Sequence, residues 1–214
     1  MTTAPVLTIH QLGCSRGGRP LFQNIDCSLE AGRWLYVAGA NGVGKTSLLR
    51  MLCGLAAIES GDICWKGVSV RAQVEAFRRE LFYLGHLNAL QESMTVSENI
   101  VFSAALGGLA VAQRDVAELL VQFGVGGRGG QVVRHLSQGQ KRRVALLRLA
   151  LSRARLWVLD EPFVAMDDAG IRMLANLVAK HLNTGGLAVI TSHQSVDIGG
   201  IPAQILDLSA CACQ

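Results

Sequence analysis

The strongest constraint on the fold is the segment from Gly39 to Thr46, which matches the pattern G-x-x-x-x-G-K-S/T. In this pattern the glycines let backbone N–H groups surround phosphates, the lysine reaches the outer phosphates and the hydroxyl holds Mg²⁺. The pattern needs a strand before the loop and a helix after it. The apolar run 33–38 and the periodic leucines after Lys45 supply both, so the sequence predicts a nucleotide-binding loop. Its predicted phosphate contacts are Gly39, Ala40, Asn41, Gly42, Val43, Gly44, Lys45 and Thr46.

The rest of the chain alternates apolar runs with helical patterns. Half of the residues are hydrophobic (50%) but only 5% are aromatic, so the core is built from Leu, Val, Ile and Ala, as in helix-covered parallel sheets. The sequence therefore predicts an α/β fold with a largely parallel sheet. Strands are predicted at 6–12, 25–29, 33–38, 63–65, 81–84, 156–159 and 187–191, and helices at 45–54, 138–152 and 169–181.

Three further segments define the predicted domain organisation. Residues 13–20 are rich in glycine and arginine and predict a turn, while 95–123 predict a helical insertion. Residues 124–130 contain five glycines in seven positions and are interpreted as a flexible joint. We expect one domain over 1–214, with a core formed by 1–85 and 131–214 and a helical subdomain at 86–130.

An acidic pair, Asp160 and Glu161, follows the predicted strand 156–159. Ligands of α/β sheets bind at the carboxyl ends of strands, where Gly39, this pair and His193 all fall. We expect Thr46 and Asp160 to hold Mg²⁺ and Glu161 to orient the attacking water. His193 is positioned to hydrogen-bond a terminal phosphate.

Ser137 to Gln140 form a second candidate phosphate contact. A serine followed three residues later by glutamine is also a capping box, which by itself explains these residues as the start of a helix. A helix start that exposes a serine hydroxyl and a glycine N–H can equally bind an anion. Ser137, Gly139 and Gln140 are therefore candidate ATP contacts, with the capping interpretation left open.

The formal net charge is +4, and many basic residues cluster near the middle of the chain. These are Lys141, Arg142, Arg143, Arg148, Arg153 and Arg155. Either they form a solvated helix face, or they dock an anionic lipid or nucleic acid. Because few aromatics are interleaved with them, we do not expect nucleic acid to be a partner.

No stretch of the sequence approaches the ~18 uninterrupted apolar residues of a membrane span. The first residues lack a basic start followed by an apolar segment, so we expect no secretory signal and a cytosolic location. The mean hydropathy of +0.33 is nevertheless high, which suggests apolar surface that contacts a partner subunit. The six cysteines lack metal-ligand spacing and are expected to be reduced thiols.

Taken in order, these motifs resemble the nucleotide-binding domain of ABC transporters. By that resemblance Gly39 to Thr46 is similar to the Walker A loop, Leu136 to Gln140 to the signature motif and Leu156 to Glu161 to Walker B. Asp167 is similar to the D-loop aspartate and His193 to the switch histidine. The resemblance implies ATP and Mg²⁺ as ligands, a core with a mostly parallel sheet, a small antiparallel β subdomain and a helical subdomain. It also implies a head-to-tail homodimer in which each ATP lies between one Walker A loop and the partner's signature motif.

Several departures from the family pattern indicate a subfamily. His86 stands where most members carry the Q-loop glutamine, and Gln138 where glycine is usual in the signature. The turn that usually carries an adenine-stacking aromatic offers Arg16, which either stacks on the adenine as a cation–π partner or is solvated. His86 can protonate, so we expect a pH-sensitive coupling step. The combination resembles ATP-binding subunits of haem-exporter complexes in cytochrome c maturation.

The resemblance implies a peripheral ATPase subunit on the cytoplasmic face of the bacterial inner membrane, bound to a multi-span, haem-handling membrane subunit. It leaves open whether the complex exports haem or releases a haem chaperone. Alternatives are the ATPase of another importer or exporter, a soluble ABC ATPase acting on nucleic acid or ribosomes, and a non-catalytic ATP sensor.

Overall fold

The computed structural model describes residues 4–194 and 196–211, and the strands in that part of the chain form two sheets. The strands are β1 (Leu7–Arg16), β2 (Arg19–Leu29), β3 (Trp34–Ala38), β4 (Ser60–Trp65), β5 (Val68–Ser69), β6 (Leu81–Leu84), β7 (Leu156–Asp160), β8 (Leu187–Thr191) and β9 (Gln204–Asp207). The helices are α1 (Lys45–Leu52), α2 (Val74–Arg79), α3 (Val96–Leu106), α4 (Gln113–Gln122), α5 (Gln138–Leu151) and α6 (Asp168–Asn183). Short 3₁₀ turns lie at Val70–Ala72, Val133–His135 and Leu208–Cys211. The predicted α/β architecture is confirmed.

The antiparallel sheet has the strand order β2-β1-β4-β5. Its β1–β2 hairpin closes at Gly17 and Gly18, whose φ angles are +59° and +77°. Two consecutive glycines with positive φ suffice for a tight hairpin that matches the strand twist. The predicted turn over 13–20 is therefore wrong, because residues 13–16 and 19–20 continue the two strands.

The second sheet has the order β6-β7-β8-β3-β9, and the pairs β7–β8, β8–β3 and β3–β9 are parallel. Every residue of β7 and β8 is buried, which explains their continuous apolar runs. Asp160 and Val37 are both register partners of Thr191. The carboxyl ends of three neighbouring strands therefore lie at one edge of the sheet, next to the loop that follows β3.

The described chain divides into two compact units. The sheet unit comprises Met1–Tyr83, Ala154–Pro162 and Val178–Gln214, and the helical unit comprises Leu84–Arg153 and Phe163–Leu177. The predicted division into a core and a subdomain at 86–130 stays a prediction. Within the sheet unit, the core is a cluster of buried aliphatic side chains with Phe22, Trp65 and Phe77.

In the helical unit, the predicted insertion at 95–123 consists of two helices, α3 and α4. Thr95 starts α3 with a capping box, since its Oγ1 accepts from the N–H of Glu98 and Glu98 Oε2 accepts from the N–H of Thr95. The glycine-rich segment 124–130 has the contacts of an ordered turn rather than of a linker. Its Val125 is 1% exposed, and the carbonyl of Gly129 accepts from the N–H of Ser97 at 3.0 Å.

Candidate nucleotide site

The loop between β3 and α1 has the backbone geometry that phosphate binding requires. Gly39, Gly42 and Gly44 have φ angles of +137°, +84° and +109°, in the range that favours glycine. A Cβ built on Gly39 would lie 2.8 Å from Val43 Cγ1, and one on Gly44 would lie 3.0 Å from the Phe22 ring. Neither position has room for a side chain, so the loop can take its curved path only with glycine there.

The ammonium of Lys45 lies inside this curve. Its Nζ donates to the carbonyl of Gly39 at 2.7 Å and to that of Ala40 at 3.2 Å. Helix α1 has Gly44 as its N-cap, so it has no side-chain cap, and its first turn contains no acidic residue. A helix N-terminus without a cap, next to a lysine, presents N–H groups and positive charge to an anion. The predicted contacts from Gly39 to Thr46 therefore fit a polyphosphate.

The acidic pair lies at the carboxyl end of β7. Asp160 is 3% exposed, and its Oδ2 accepts from the Thr46 hydroxyl at 3.0 Å. These two residues were predicted to hold Mg²⁺, and their oxygens suit that ion, which protein sites bind with one or two carboxylates and substrate phosphates. In the part of the chain that the structure describes, no cluster of three or more His, Cys, Asp and Glu side chains forms a separate metal site.

Glu161 and His193 also meet at this edge. The Nε2 atom of His193 lies 3.2 Å from Glu161 Oε1, and the glutamate side chain is only 14% exposed whereas the histidine side chain is 56% exposed. Glu161 has a φ of +50°, an uncommon conformation for a residue with a side chain. The structure thus brings Thr46, Asp160, Glu161 and His193 together, as the sequence predicted.

Two residues in contact with this site were missed by the sequence analysis. Thr191 closes β8, and its hydroxyl contacts both members of the acidic pair. Ser209, in the last 3₁₀ turn, accepts from the N–H of Ala40 through its Oγ at 3.2 Å. The sequence could have predicted Thr191, because it is a polar residue at the end of a buried strand beside the acidic pair. It could not have predicted Ser209, which follows an exposed strand far along the chain.

The signature segment starts helix α5 in the helical unit. Ser137 Oγ accepts from the N–H of Gln140 at 3.2 Å, and Gln140 Oε1 accepts from the N–H of Ser137 at 3.0 Å, so both bonds of the capping box form. The cap leaves the Ser137 hydroxyl proton available as a donor. A Cβ built on Gly139 would lie 3.0 Å from the carbonyl oxygen of Ala165. Gly139 is therefore also a close-packing position.

The basic residues of α5 do not form the solvated face that was one interpretation of the charge cluster. Arg142 is 5% exposed and donates to the Gly85 carbonyl at 3.4 Å and to Asn88 Oδ1 at 3.0 Å. Arg148 donates to Ser103 Oγ at 2.7 Å, and burial lowers its pKa. The helical pattern of apolar residues in the sequence does not predict these contacts, because a long charged side chain can still be buried against another element.

The neighbouring Arg143 binds the loop that follows β7. Its Nη2 donates to Asp167 Oδ1 and its Nη1 to the carbonyl of Phe123 at 3.0 Å. Asp167 Oδ1 also accepts from the N–H of Gly170 at 3.0 Å, which caps α6. These bonds, that from Gly170 first and that from Arg143 next, lower the pKa of Asp167.

The two remaining predicted residues are exposed. His86 lies in the loop after β6, one residue beyond the carbonyl held by Arg142. Arg16 ends β1 at the hairpin. Their assigned roles stay predictions.

The cysteines that the structure describes, Cys14, Cys27, Cys53, Cys64 and Cys211, are free thiols, while Cys213 lies outside the described residues. Burial raises the pKa of Cys53 to about 12 and that of Cys27 to about 11. Both therefore carry a neutral thiol at physiological pH.

The sequence of this chain is similar to a known family and to named proteins of two bacteria. A family model described as ABC transporter matches residues 22–164. A protein of Albidiferax ferrireducens named cytochrome c biogenesis ATP-binding export protein CcmA is 71% identical over 210 residues, which cover 98% of this chain and 100% of that protein. A protein of the same name from Dechloromonas aromatica is 49% identical over 193 residues, covering 90% of this chain and 95% of its own length.

Solved structures agree on the fold. A putative ABC transporter ATP-binding protein from Pyrococcus furiosus superposes with a TM-score of 0.83 at 24% identity, covering 97% of this chain and 99% of its own. An ATP-binding subunit of an ABC transporter superposes with a TM-score of 0.78 at 25% identity, over 88% of this chain and 80% of its own.

Proposed function

The chain belongs to the ABC transporter family, and from this premise we propose that it is the ATP-hydrolysing subunit of a cytochrome c biogenesis complex, which exports haem or releases a haem chaperone. As a member of that family it is an ATP-binding ATPase. The full-length similarity to a protein named for cytochrome c biogenesis, at 71% identity, carries the proposal beyond the ATPase activity.

In the proposed site, Lys45 and the N–H groups from Gly39 to Thr46 hold the triphosphate, and Thr46 and Asp160 hold Mg²⁺. Mg²⁺ held by these two residues would neutralise charge that develops on the phosphates. Glu161 orients the attacking water and accepts its proton, while His193 contacts the terminal phosphate. The 3.2 Å separation of Glu161 Oε1 and His193 Nε2 supports this division, because both side chains can then reach the same phosphate.

Ser137, Gly139 and Gln140 are proposed to contact the phosphates of an ATP held by a second copy of the chain. The hydroxyl proton that the capping box leaves on Ser137 supports this role. Two copies arranged head to tail would then share two ATP molecules. Arg16 is proposed to stack on the adenine, and His86 to contact the attacking water and make hydrolysis sensitive to pH.

The proposed membrane partner is a multi-span subunit that handles haem, with this chain bound peripherally at the cytoplasmic face of the inner membrane. No helix among the described residues is long and apolar enough to cross a bilayer. The helical unit exposes Leu87, Phe102 and Leu106, whose side chains favour contact with another protein. Leu87 adjoins His86 in sequence, so partner contact and the proposed pH-sensitive step would involve one loop.

The proposal is tested by complementation in a bacterium that lacks this gene and makes no c-type cytochromes. The wild-type chain is expected to restore haem-stained cytochromes c, whereas Glu161→Gln should bind ATP normally and restore none, with ATP turnover reduced by at least about 100-fold. Glu118→Gln, a matched change at an exposed position of α4, serves as the control. Restoration by Glu161→Gln would remove Glu161 from its role, and failure of an active wild-type ATPase to restore cytochromes would refute the assignment to cytochrome c biogenesis.

A further inference from the structure

We infer that Thr191 is a positioning residue for both members of the acidic pair, an inference that rests on the proposed function and deepens it. Thr191 is the last residue of β8 and is 0% exposed, although its side chain is polar. A buried hydroxyl without partners is unfavourable, so its hydrogen bonds account for its place in the core.

The Thr191 hydroxyl forms hydrogen bonds with both Asp160 and Glu161. Oγ1 donates to Asp160 Oδ1 at 2.8 Å and accepts from the N–H of Glu161 at 2.9 Å. A hydroxyl carries one donor and two acceptor sites, so both bonds can form together. The register places Asp160 directly beside Thr191 across the parallel ladder, which makes this contact a consequence of strand pairing.

The bond to Asp160 fixes how that carboxylate is turned. With Oδ1 accepting from Thr191, Oδ2 is the oxygen that lies 3.0 Å from Thr46 Oγ1. Oδ2 and Thr46 are the proposed Mg²⁺ contacts. Loss of the Thr191 hydroxyl would remove one of the bonds that restrain rotation about χ2, which is a soft torsion for aspartate. Thr191 thereby holds one carboxylate oxygen towards the metal position.

The bond to Glu161 acts on the backbone. The left-handed φ of +50° is unfavourable for a residue with a side chain, and a hydrogen bond from its N–H offsets part of that cost. This conformation directs the Glu161 side chain to within 3.2 Å of His193. Thr191 thus positions two carboxylates of the proposed mechanism: that of Asp160, which contacts the metal, and that of Glu161, which orients the attacking water.

The experiment compares purified Thr191→Val, which keeps the shape and removes both bonds, with Thr191→Ser, which keeps the hydroxyl. Thr184→Val is a matched control, since the Thr184 hydroxyl is exposed and donates only to the carbonyl of His181 among the described contacts. Affinity for a fluorescent ATP analogue is measured in EDTA and in Mg²⁺, and kcat and KM are measured separately.

For Thr191→Val we expect unchanged affinity in EDTA and a loss of most of the gain in affinity that Mg²⁺ provides. We also expect kcat lowered roughly 10- to 100-fold, with KM for Mg²⁺-ATP raised only as far as that loss of affinity requires. Thr191→Ser should recover most of both losses. Wild-type Mg²⁺ dependence and kcat in Thr191→Val would overturn the inference, as would equal losses in Thr191→Ser. Thr191→Ala replaces Thr191→Val should the valine variant not fold.

Glu161→Gln in the same assay separates this inference from the proposed function. If Glu161→Gln hydrolyses ATP normally, the proposed role of Glu161 fails, whereas the effect of Thr191 on Mg²⁺-dependent binding is still measured through Asp160. If Glu161→Gln is inactive and Thr191→Val behaves as the wild type, only the inference about Thr191 fails.

Discussion

The strand-end cluster (Thr46, Asp160, Glu161, Thr191 and His193) and helix α5 both depend on side-chain hydrogen bonds, but different features set their geometry. In the strand-end cluster, short side chains meet because parallel strands end in register. On α5, long guanidinium groups reach loops that are distant in sequence. Strand register therefore sets the geometry of the strand-end cluster, whereas the length of the arginine side chains sets the contacts of α5.

This difference has an energetic consequence. We expect substitutions in the strand-end cluster to change function first, because its side chains are the proposed contacts of the metal and of the attacking water. A buried guanidinium donates to several oxygen atoms at once, and its removal takes a charged donor from each of them. Substitutions on α5 should therefore change stability first.

The largest effect on stability is expected for Arg142→Met. The Gly85 carbonyl and Asn88 Oδ1 lose a donor, and we expect the free energy of unfolding to fall by about 3 kcal/mol, measured by urea denaturation. Arg153→Met is the control, because Arg153 is exposed and should change stability by less than about 0.5 kcal/mol. Equal costs for the two variants would show that the contacts of Arg142 do not stabilise the fold, which would break the comparison.

A smaller effect is expected at Asp167, which joins α5 to the start of α6. Its pKa is lowered below its usual value of 3.8, so the folded chain favours the ionised carboxylate. The resulting stability is present above that value and is lost as pH falls through the folded-state pKa. Acid titration of unfolding should show less loss below pH 3.8 in Asp167→Asn than in the wild type, and Asp168→Asn is the neighbouring control. Identical acid profiles for wild type and Asp167→Asn would contradict this.

The same contrast explains how much could be predicted from the sequence. The nucleotide loop and the acidic pair were predicted because glycines with positive φ and buried strand ends leave a local pattern. Strand β9 was not, since three of its four residues are exposed and no apolar run marks it. A solvated helix face was one interpretation of Arg142, because its partners lie more than 50 residues away in sequence, a separation that periodicity does not report.

The smallest effect on stability is expected at His181, near the amino ends of β7 and β8. Thr191 joins the same two strands at their carboxyl ends. His181 stacks on Trp157 at 3.8 Å, and its Nε2 lies 3.2 Å from the carbonyl oxygens of Arg155 and Leu187, which flank the amino ends of β7 and β8. Burial lowers its pKa below the usual 6.5, so the unfolded chain takes up the proton first as pH falls. Stability should therefore decrease as pH falls below 6.5, by less in His181→Gln than in the wild type, with exposed His10→Gln as control. Parallel pH profiles for wild type and His181→Gln would contradict this expectation.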